Sequence, residues 1–182
     1  FEVGYDMALF NNAFDFDITY YYSTMVNQFL SVGTVSGMSK PINTGKIRNT
    51  GIEFTANYNW NITKDFSWRT GLNFSYNDNL ILSTYNDGTE YTMGWDIGGF
   101  LIKFKRGGAY GDLYVRDYDG DENGAIITSS LVGAGVTKYA GNSMAPFYYG
   151  WNSTFNYKGF SFYFLLDGKI GGKVISYTQA KL

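Results

Sequence analysis

The feature that most constrains this chain is an alternation of apolar and polar side chains that recurs over most of its length. A period of two is typical of β-strands with one apolar and one polar face. In the first segment, alternate positions are apolar on both sides of Asn11-Asn12, a pair suited to a tight turn. Because paired positions of a hairpin share a face, the pattern predicts antiparallel strands and an all-β fold.

Four hairpins are predicted in this way, and each opposes apolar side chains to apolar side chains. Their turns are placed at Asn11-Asn12, within residues 61–65, at Gly107-Gly108 and at Lys158-Gly159. The registers put Leu9 opposite Phe14, Ile52 opposite Phe74, Ile102 opposite Leu113, and Trp151 opposite Leu166. Acidic, amide and hydroxyl side chains occupy the other positions. Each hairpin is therefore expected to have two chemically different faces.

Long polar connections separate the hairpins, over roughly residues 31–45, 78–97 and 117–145. Short turns that alternate with long loops are typical of outer-membrane barrels, whose short turns lie on the periplasmic side. The predicted fold is therefore an antiparallel transmembrane β-barrel segment, with about eight strands in an up-and-down meander.

The aromatic content favours a membrane over a soluble β-sandwich, which would also alternate. The chain has 17 Tyr, 15 Phe and 4 Trp in 182 residues, yet its mean hydropathy is only -0.21. A sandwich core would favour Val and Ile, whereas a barrel needs an apolar band against lipid and aromatic girdles at both interfaces. No apolar run approaches the roughly 20 residues of a membrane helix. Outer-membrane lipid is therefore the first expected partner.

Several functional classes are disfavoured by what the sequence lacks. It has no Cys and no His, so a disulfide framework, a thiolate metal site and the commonest general base are excluded. No catalytic residue is predicted. The net charge of -2 argues against nucleic acid, which requires clustered basic residues. Because Phe1 opens inside a strand pattern with no signal peptide, we expect the chain to be a segment of a longer protein.

Several short motifs, in order along the chain, resemble the C-terminal barrel region of the SusC/RagA family. The first is the pattern G-x-x-x-N-x-G-x-E, formed by Gly45, Asn49, Gly51 and Glu53. The others lie at residues 66–77, 141–146, 157–161 and 171–174. The first motif is interpreted as structural, since the alternation shifts phase there and a bulge or bend near 49–51 would explain the shift.

The resemblance implies a TonB-dependent outer-membrane importer with a roughly 22-stranded barrel and a lumen plug. Such proteins import bulky nutrients, usually oligosaccharides and sometimes peptides. A SusD-like surface lipoprotein covers the barrel, and TonB pulls on an N-terminal segment. Residues 1–182 are accordingly interpreted as a partial barrel domain without plug or TonB box.

Two other functions are weighed against the importer. One is a small self-contained eight-stranded outer-membrane barrel with an anchoring or adhesive role, in which the first and last strands would pair. The other is an outer-membrane enzyme, which is disfavoured because no His, Cys or serine triad is available.

A Ca²⁺ site is the one cofactor that the sequence suggests. In residues 117–124, oxygen side chains recur at alternate positions, as hard cations require. The ligands would be Asp117, Asp119, Asp121 and Asn123. The order departs from the EF-hand loop, because Glu122 stands where that loop has Gly. The alternative, which we favour, is a solvated acidic turn.

Tyrosines near the outer strand ends are candidates for contact with substrate. Tyr20, Tyr22, Tyr149 and Trp151 share the apolar face and are interpreted as interfacial girdle residues. Tyr21 and Tyr148 fall on the polar face. They are the candidate substrate-lining residues, with a girdle role as the alternative.

Overall fold

The computed structural model describes residues 1–33, 39–84, 90–97, 100–117, 123, 125 and 136–176. These residues form antiparallel strands and turns. The strands are β1 Glu2–Leu9, β2 Phe14–Gly33, β3 Ser39–Thr63, β4 Phe66–Ser83, β5 Tyr91–Ile97, β6 Phe100–Phe104, β7 Asp112–Asp117, β8 Val136–Asn142, β9 Phe147–Tyr157 and β10 Phe160–Ile170. A search of the described residues finds no helix of the length and apolarity that crossing a membrane demands.

The strands belong to two sheets. A six-stranded sheet has the order β1-β2-β3-β4-β9-β10, and a four-stranded sheet has the order β5-β6-β7-β8. The chain divides into two compact units, which are described separately. The first unit comprises Phe1–Thr24, Arg48–Asp78 and Ala145–Gly171, and the second comprises Met25–Ile47, Asn79–Met144 and Gly172–Leu182.

The first and fourth hairpins have the predicted registers. In the first, Leu9 pairs with Phe14, as the opposition of apolar positions predicts. In the fourth, Trp151 pairs with Leu166. Its turn places Lys158 at φ 44° and Gly159 at φ 84°, the left-handed conformation that a type I′ turn requires. The second turn also lies where it was predicted, since β3 ends at Thr63 and β4 begins at Phe66.

The third hairpin has the predicted register but lies in a different sheet from the one expected. Phe100 pairs with Val115, and Ile102 pairs with Leu113. The expected wall of about eight strands would have placed this hairpin between β4 and β9. Instead β4 pairs directly with β9, from Phe66↔Tyr157 to Tyr76↔Phe147. The third hairpin therefore belongs to the four-stranded sheet, and the larger sheet has six strands.

Parts of the predicted loops are also strand. Within the predicted loop 31–45, β2 continues to Gly33 and β3 begins at Ser39. Further along, β5 and β8 occupy stretches that were expected to be irregular. Strand β5 does carry a strand signal in its sequence, because Tyr91, Met93, Trp95 and Ile97 occupy alternate positions, so the prediction of a loop there was wrong.

The first unit is a single layer whose apolar face is not covered by the described residues. Phe160 is 81% exposed, and Phe162 and Leu72 are also well exposed. The buried hydrophobic residues of the described chain are Ile47, Ile81, Phe104, Leu113, Tyr114 and Ala145. Of these, only Ala145 belongs to the first unit. The Phe, Tyr and Trp side chains of its sheet therefore do not form a compact core.

Aromatic side chains form a continuous belt across this apolar face near the short turns. Successive contacts join Phe14–Tyr58, Tyr58–Trp60, Trp60–Trp68, Trp68–Phe155 and Phe155–Phe162, with ring centroids 6.4, 6.2, 6.4, 5.7 and 6.5 Å apart. A second group lies toward the other strand end, where the Phe147 ring centroid is 4.7 Å from that of Tyr76. An apolar band between two aromatic girdles is the lipid-facing pattern of membrane barrels.

The paired length of the strands fits a bilayer. Strand β9 has 11 residues, all paired with β4. At about 3.4 Å per residue the paired segment is about 34 Å long. At a strand tilt of about 40° it spans about 26 Å, close to the apolar band of about 25 Å in such barrels.

Two tryptophans on the apolar face have their N–H groups satisfied within the sheet. Trp68 Nε1 donates to Ser153 Oγ at 2.6 Å, and Trp151 Nε1 donates to Thr70 Oγ1 at 2.8 Å. Thr70 and Ser153 are direct cross-strand partners, so the two bonds run in opposite directions between β4 and β9. We call these four residues the indole–hydroxyl pairs. They matter because lipid offers an indole N–H no other acceptor.

The second unit has a small core of its own. Ile47, Ile81 and Phe104 are buried together, with Tyr91 packed against them. Asp112 is also buried; its carboxylate accepts hydrogen bonds from Asn142 Nδ2 and Ala109 N, both at 2.8 Å. This unit therefore packs like a small conventional domain, unlike the single-layer sheet.

The two faces of the larger sheet should differ in their tolerance of charge. Leu72 lies on the apolar face and Leu165 on the polar face, with exposures of 52% and 50%. They lie at nearly the same height, since Leu72 pairs with Trp151 and Leu165 pairs with Asn152. In the full-length protein, Leu72→Arg should lower folding stability in vesicles by about 2–4 kcal/mol, as arginine does near the bilayer midplane.

Leu165→Arg is the matched control and should change the stability by much less. The measurement is the urea unfolding midpoint of the vesicle-inserted protein. Equal losses for the two variants would show that the two faces do not meet different solvents.

Candidate functional site

The polar face of the six-stranded sheet is an inter-strand network rich in asparagine. Asn57 Nδ2 donates to Asp15 Oδ2 at 2.8 Å, and Asn156 Nδ2 donates to Ser67 Oγ at 3.2 Å. Gly71 makes room for its neighbours, because a Cβ there would lie 2.7 Å from Asn57 Oδ1. These side chains bond to one another across strands, so this part of the face is rigid and hydrophilic.

Tyr21 is fixed in place by residues of two neighbouring strands. Its hydroxyl donates to Asn77 Oδ1 at 3.0 Å. Its phenol covers Gly51, where a Cβ would collide with Tyr21 Oη and with the carbonyl oxygen of Tyr76. Tyr21 lies on the polar face as the alternation predicts, opposite Glu2. Its role in lining a substrate path stays a prediction, and what the structure adds is its contact with Gly51.

Tyr148 is the more accessible of the two candidate tyrosines. It is 47% exposed, and it lies between Ser75 on β4 and Lys169 on β10. Its cross-strand neighbours are a small side chain and a long cationic side chain, and nearly half of its surface is exposed. An open tyrosine on a polar face can stack on a sugar ring or on a peptide side chain.

The residues of the first family motif have distinct structural environments. Gly45 has φ 72°, and any Cβ there would collide with the carbonyl of Ser83. Gly51 is buried under Tyr21, Asn49 is half-buried, and Glu53 is exposed. Steric clashes therefore explain why both positions are glycine, and this supports the structural interpretation of the motif. The bulge near 49–51 stays a prediction.

Two of the four proposed Ca²⁺ ligands fall outside the described residues. Asp119 and Asp121 are not described, Asp117 is the last residue of β7, and Asn123 is exposed. Within the described part of the chain, no group of three or more His, Asp or Glu side chains is arranged to hold a metal ion. The Ca²⁺ site therefore stays a prediction from the sequence.

A charged cluster that the sequence analysis missed lies in the second unit. Lys103 Nζ is 2.9 Å from Glu90 Oε2 and 2.8 Å from Thr137 Oγ1, and Lys105 Nζ is 3.5 Å from Glu90 Oε1. Both ammonium groups lie 5.0 Å from the ring centroid of Tyr114. The hydrogen bond from Lys103 is the main cause of the lowered pKa of Glu90. The cluster joins β6 and β8 of the smaller sheet to Glu90, which immediately precedes β5.

These observations define a class of protein. The larger sheet has a lipid-type apolar face with two aromatic groups, a polar face suited to water, and strands of bilayer length. A structure with these properties is a section of the wall of an outer-membrane β-barrel.

Comparison with known proteins narrows this class. No family model matches the sequence. A curated relative, the TonB-dependent receptor P3 of Formosa agariphila, is 27% identical over 212 residues, which cover 100% of this chain and 21% of that receptor.

Two solved structures also share the fold. The RagAB peptide transporter matches with a TM-score of 0.68 and 21% identity, over 88% of this chain and 19% of its own. The RagAB peptide importer in the closed-closed state matches with a TM-score of 0.71 and 21% identity, over 94% and 21% of the two chains. The chain thus spans about a fifth of the length of the proteins it matches.

The chain is therefore similar in sequence to part of a TonB-dependent receptor and has the fold of part of the RagAB transporter, as its SusC/RagA-like motifs imply. The matched proteins are a receptor and a transporter, not enzymes.

Gly51 should tolerate no side chain. Gly51→Ala places a methyl group against the Tyr21 phenol and the Tyr76 carbonyl, and overpacking of this kind costs about 1–3 kcal/mol. Gly4→Ala is the control, since its nearest neighbour is the Thr19 hydroxyl at 3.0 Å. Urea unfolding of the full-length protein should show the larger loss for Gly51→Ala. An equal loss of stability in both variants would show that the contact between Gly51 and Tyr21 does not make this position more sensitive than Gly4.

The Glu90 cluster should open in acid. Because the folded-state pKa of Glu90 is lowered from 4.5, its pairing stabilises the fold above the unfolded pKa and is lost as pH falls through the folded pKa. Hydrogen exchange of residues 91–104, corrected for intrinsic rates, should therefore increase below about pH 4. Glu90→Gln should show the faster exchange already at pH 7, whereas the control Glu53→Gln should not. Wild-type protection in Glu90→Gln would contradict the role of the cluster.

Proposed function

We propose that this chain forms part of the wall of an importer of bulky nutrients, with its polar face lining the lumen. The observation that carries the proposal is the division of one single-layer sheet into a lipid-type face and an asparagine-rich face. The similarity to a TonB-dependent receptor and to a peptide transporter supports import as the activity. The described part of the chain supplies lining and scaffold for this activity.

The proposed substrate class is oligosaccharide, with peptide as the second candidate. Amide side chains and an open tyrosine suit sugar hydroxyl groups, which need hydrogen-bond partners and ring stacking. The second candidate is favoured by the two matched structures, which are of a peptide transporter. Tyr148 and, less accessibly, Tyr21 are the proposed contacts with substrate.

The proposed partners are those of the family resemblance. They are a SusD-like lipoprotein at the outer surface and TonB, which would act on a part of the transporter outside this chain. The proposed cofactor is a Ca²⁺ ion held by residues 117–124, with a solvated acidic turn as the favoured alternative.

The alternative of a small eight-stranded barrel is disfavoured by the strand order. That barrel requires its first and last strands to pair. In the described residues, β1 and β10 are the two opposite edges of a six-stranded sheet. Open edges do not occur in lipid, so both edges require further strands.

Deletion and complementation of the full-length gene test the proposal. Cells without the gene should lose TonB-dependent uptake of a labelled oligosaccharide, and the wild-type gene should restore it. Tyr148→Ala should lower uptake about 3–10-fold, if the ring contributes an aromatic contact of ordinary strength. The matched control is Tyr149→Ala, because Tyr149 is 45% exposed and lies next in sequence on the apolar face.

The outcomes separate the candidates. Loss of labelled peptide uptake, with oligosaccharide uptake intact, would make peptide the substrate class. Unchanged uptake of both substrates in the deletion strain would overturn import as the function.

A further inference from the structure

Two neighbouring turns of the larger sheet form an open cleft of about 590 Å³ at its short-turn end. The turns are Lys64-Asp65, between β3 and β4, and Lys158-Gly159, between β9 and β10. They are joined directly, since Lys158 N donates to the carbonyl oxygen of Asp65 at 3.1 Å. The cleft is therefore held by the backbone and does not depend on side-chain packing alone.

The cleft combines cationic and aromatic side chains. Its lining includes Lys64, Lys158, Phe66, Tyr157 and Phe160. Tyr157 and Phe160 are 52% and 81% exposed, and they continue the aromatic belt toward the turns. The Lys158 ammonium group lies 5.4 Å from the ring centroid of Tyr157. Positive charge just beyond an apolar, aromatic surface is complementary to a lipid headgroup above its acyl chains.

Neither lysine is committed to a carboxylate. The ion pairs among the described residues are Arg48–Asp78 and the two made by Glu90. Asp65 is the one carboxylate in the cleft lining, and it reduces the net charge there from two positive charges to one. The remaining positive charge in the cleft still favours the binding of an anion.

The backbone at Lys158 adds a second, independent observation. Its φ of 44° lies in the left-handed region, which Asn, Asp or Gly occupies at lower cost than a long side chain. The type I′ turn requires this backbone conformation, but it does not require a lysine in that position. Strain of this kind points to a role for the side chain itself.

We propose that Lys64 and Lys158 bind the phosphate of a glycerophospholipid headgroup, with its acyl chains against Phe66, Tyr157 and Phe160. The inference rests on the proposed function, because it needs the short-turn end to lie at a bilayer surface. It identifies a lipid site at a defined pair of turns. The negative phosphate lies between the two ammonium groups, and Asp65 weakens the site.

The test is native mass spectrometry of the full-length transporter with phosphatidylglycerol or phosphatidylcholine of identical acyl chains. The variant Lys64→Gln/Lys158→Gln should retain one fewer phosphatidylglycerol and lose about fivefold in preference per lysine, the factor for a basic residue near an anionic surface. Asp65→Asn should raise the preference by a similar factor. Phosphatidylcholine binding should change much less, because its choline offsets the negative charge of its phosphate.

Lys169→Gln is the matched control, because Lys169 is a lysine of β10 that pairs with Tyr148 near the other end of the sheet. It should bind phosphatidylglycerol as the wild type does. An unchanged preference in the double variant, or an equal loss in Lys169→Gln, would overturn the lipid site. Displacement of the lipid by millimolar inorganic phosphate would also overturn it, in favour of a free-anion site.

Nutrient uptake separates this inference from the proposed function. The double variant should transport at the wild-type rate, since the cleft lies away from the proposed substrate contacts. If the lipid preference is unchanged while uptake depends on the gene, the lipid site fails and the importer stands. If deletion leaves uptake unchanged, the importer fails.

Discussion

The structure depends on one constraint, which is that lipid offers polar groups no hydrogen-bond partner. The six-stranded sheet meets this constraint by pairing its backbone and by satisfying indole N–H groups internally. The indole–hydroxyl pairs satisfy these groups locally, because Trp68 and Trp151 each donate a hydrogen bond to a hydroxyl on the neighbouring strand. Ser153 is fully buried beneath this arrangement although its face is otherwise apolar. The hydrogen bond from Trp68 therefore explains why a serine lies on the lipid-facing side of the sheet.

The same constraint explains why the two units look so different. In the first unit, lipid replaces a core, so large aromatic side chains remain exposed and Ala145 is its one buried hydrophobic residue among those described. In the second unit, the described strands bury Ile47, Ile81 and Phe104 against one another, so the apolar surface is covered by protein. Burial of apolar surface stabilises both, but the partner is lipid in one and protein in the other.

Local features of the fold could be predicted from the sequence, whereas long-range pairing could not. The hairpin registers follow from alternation and turn chemistry, which act over a few residues. Even the third hairpin has its predicted pairs, Phe100 with Val115 and Ile102 with Leu113. Its sheet could not be predicted, because a period of two is the same in a lipid-facing wall and in a separate sheet. The pairing of Phe66 with Tyr157 has no local signal. For the candidate site, Tyr21 could be assigned to the polar face, but its bond to Asn77 spans 56 positions.

The asparagine–glycine packing also limits where substrate can be contacted. Asn57 and Asn156 are bonded to neighbouring strands, and Gly71 and Gly150 have no side chain to offer. Side chains that stand clear of this network are the ones available to a passing solute. Tyr148 meets this condition, and so does Tyr163, which is 59% exposed and pairs with Thr154. Under the proposed function, a substrate that passes this part of the wall would therefore meet projecting rings above a fixed amide surface.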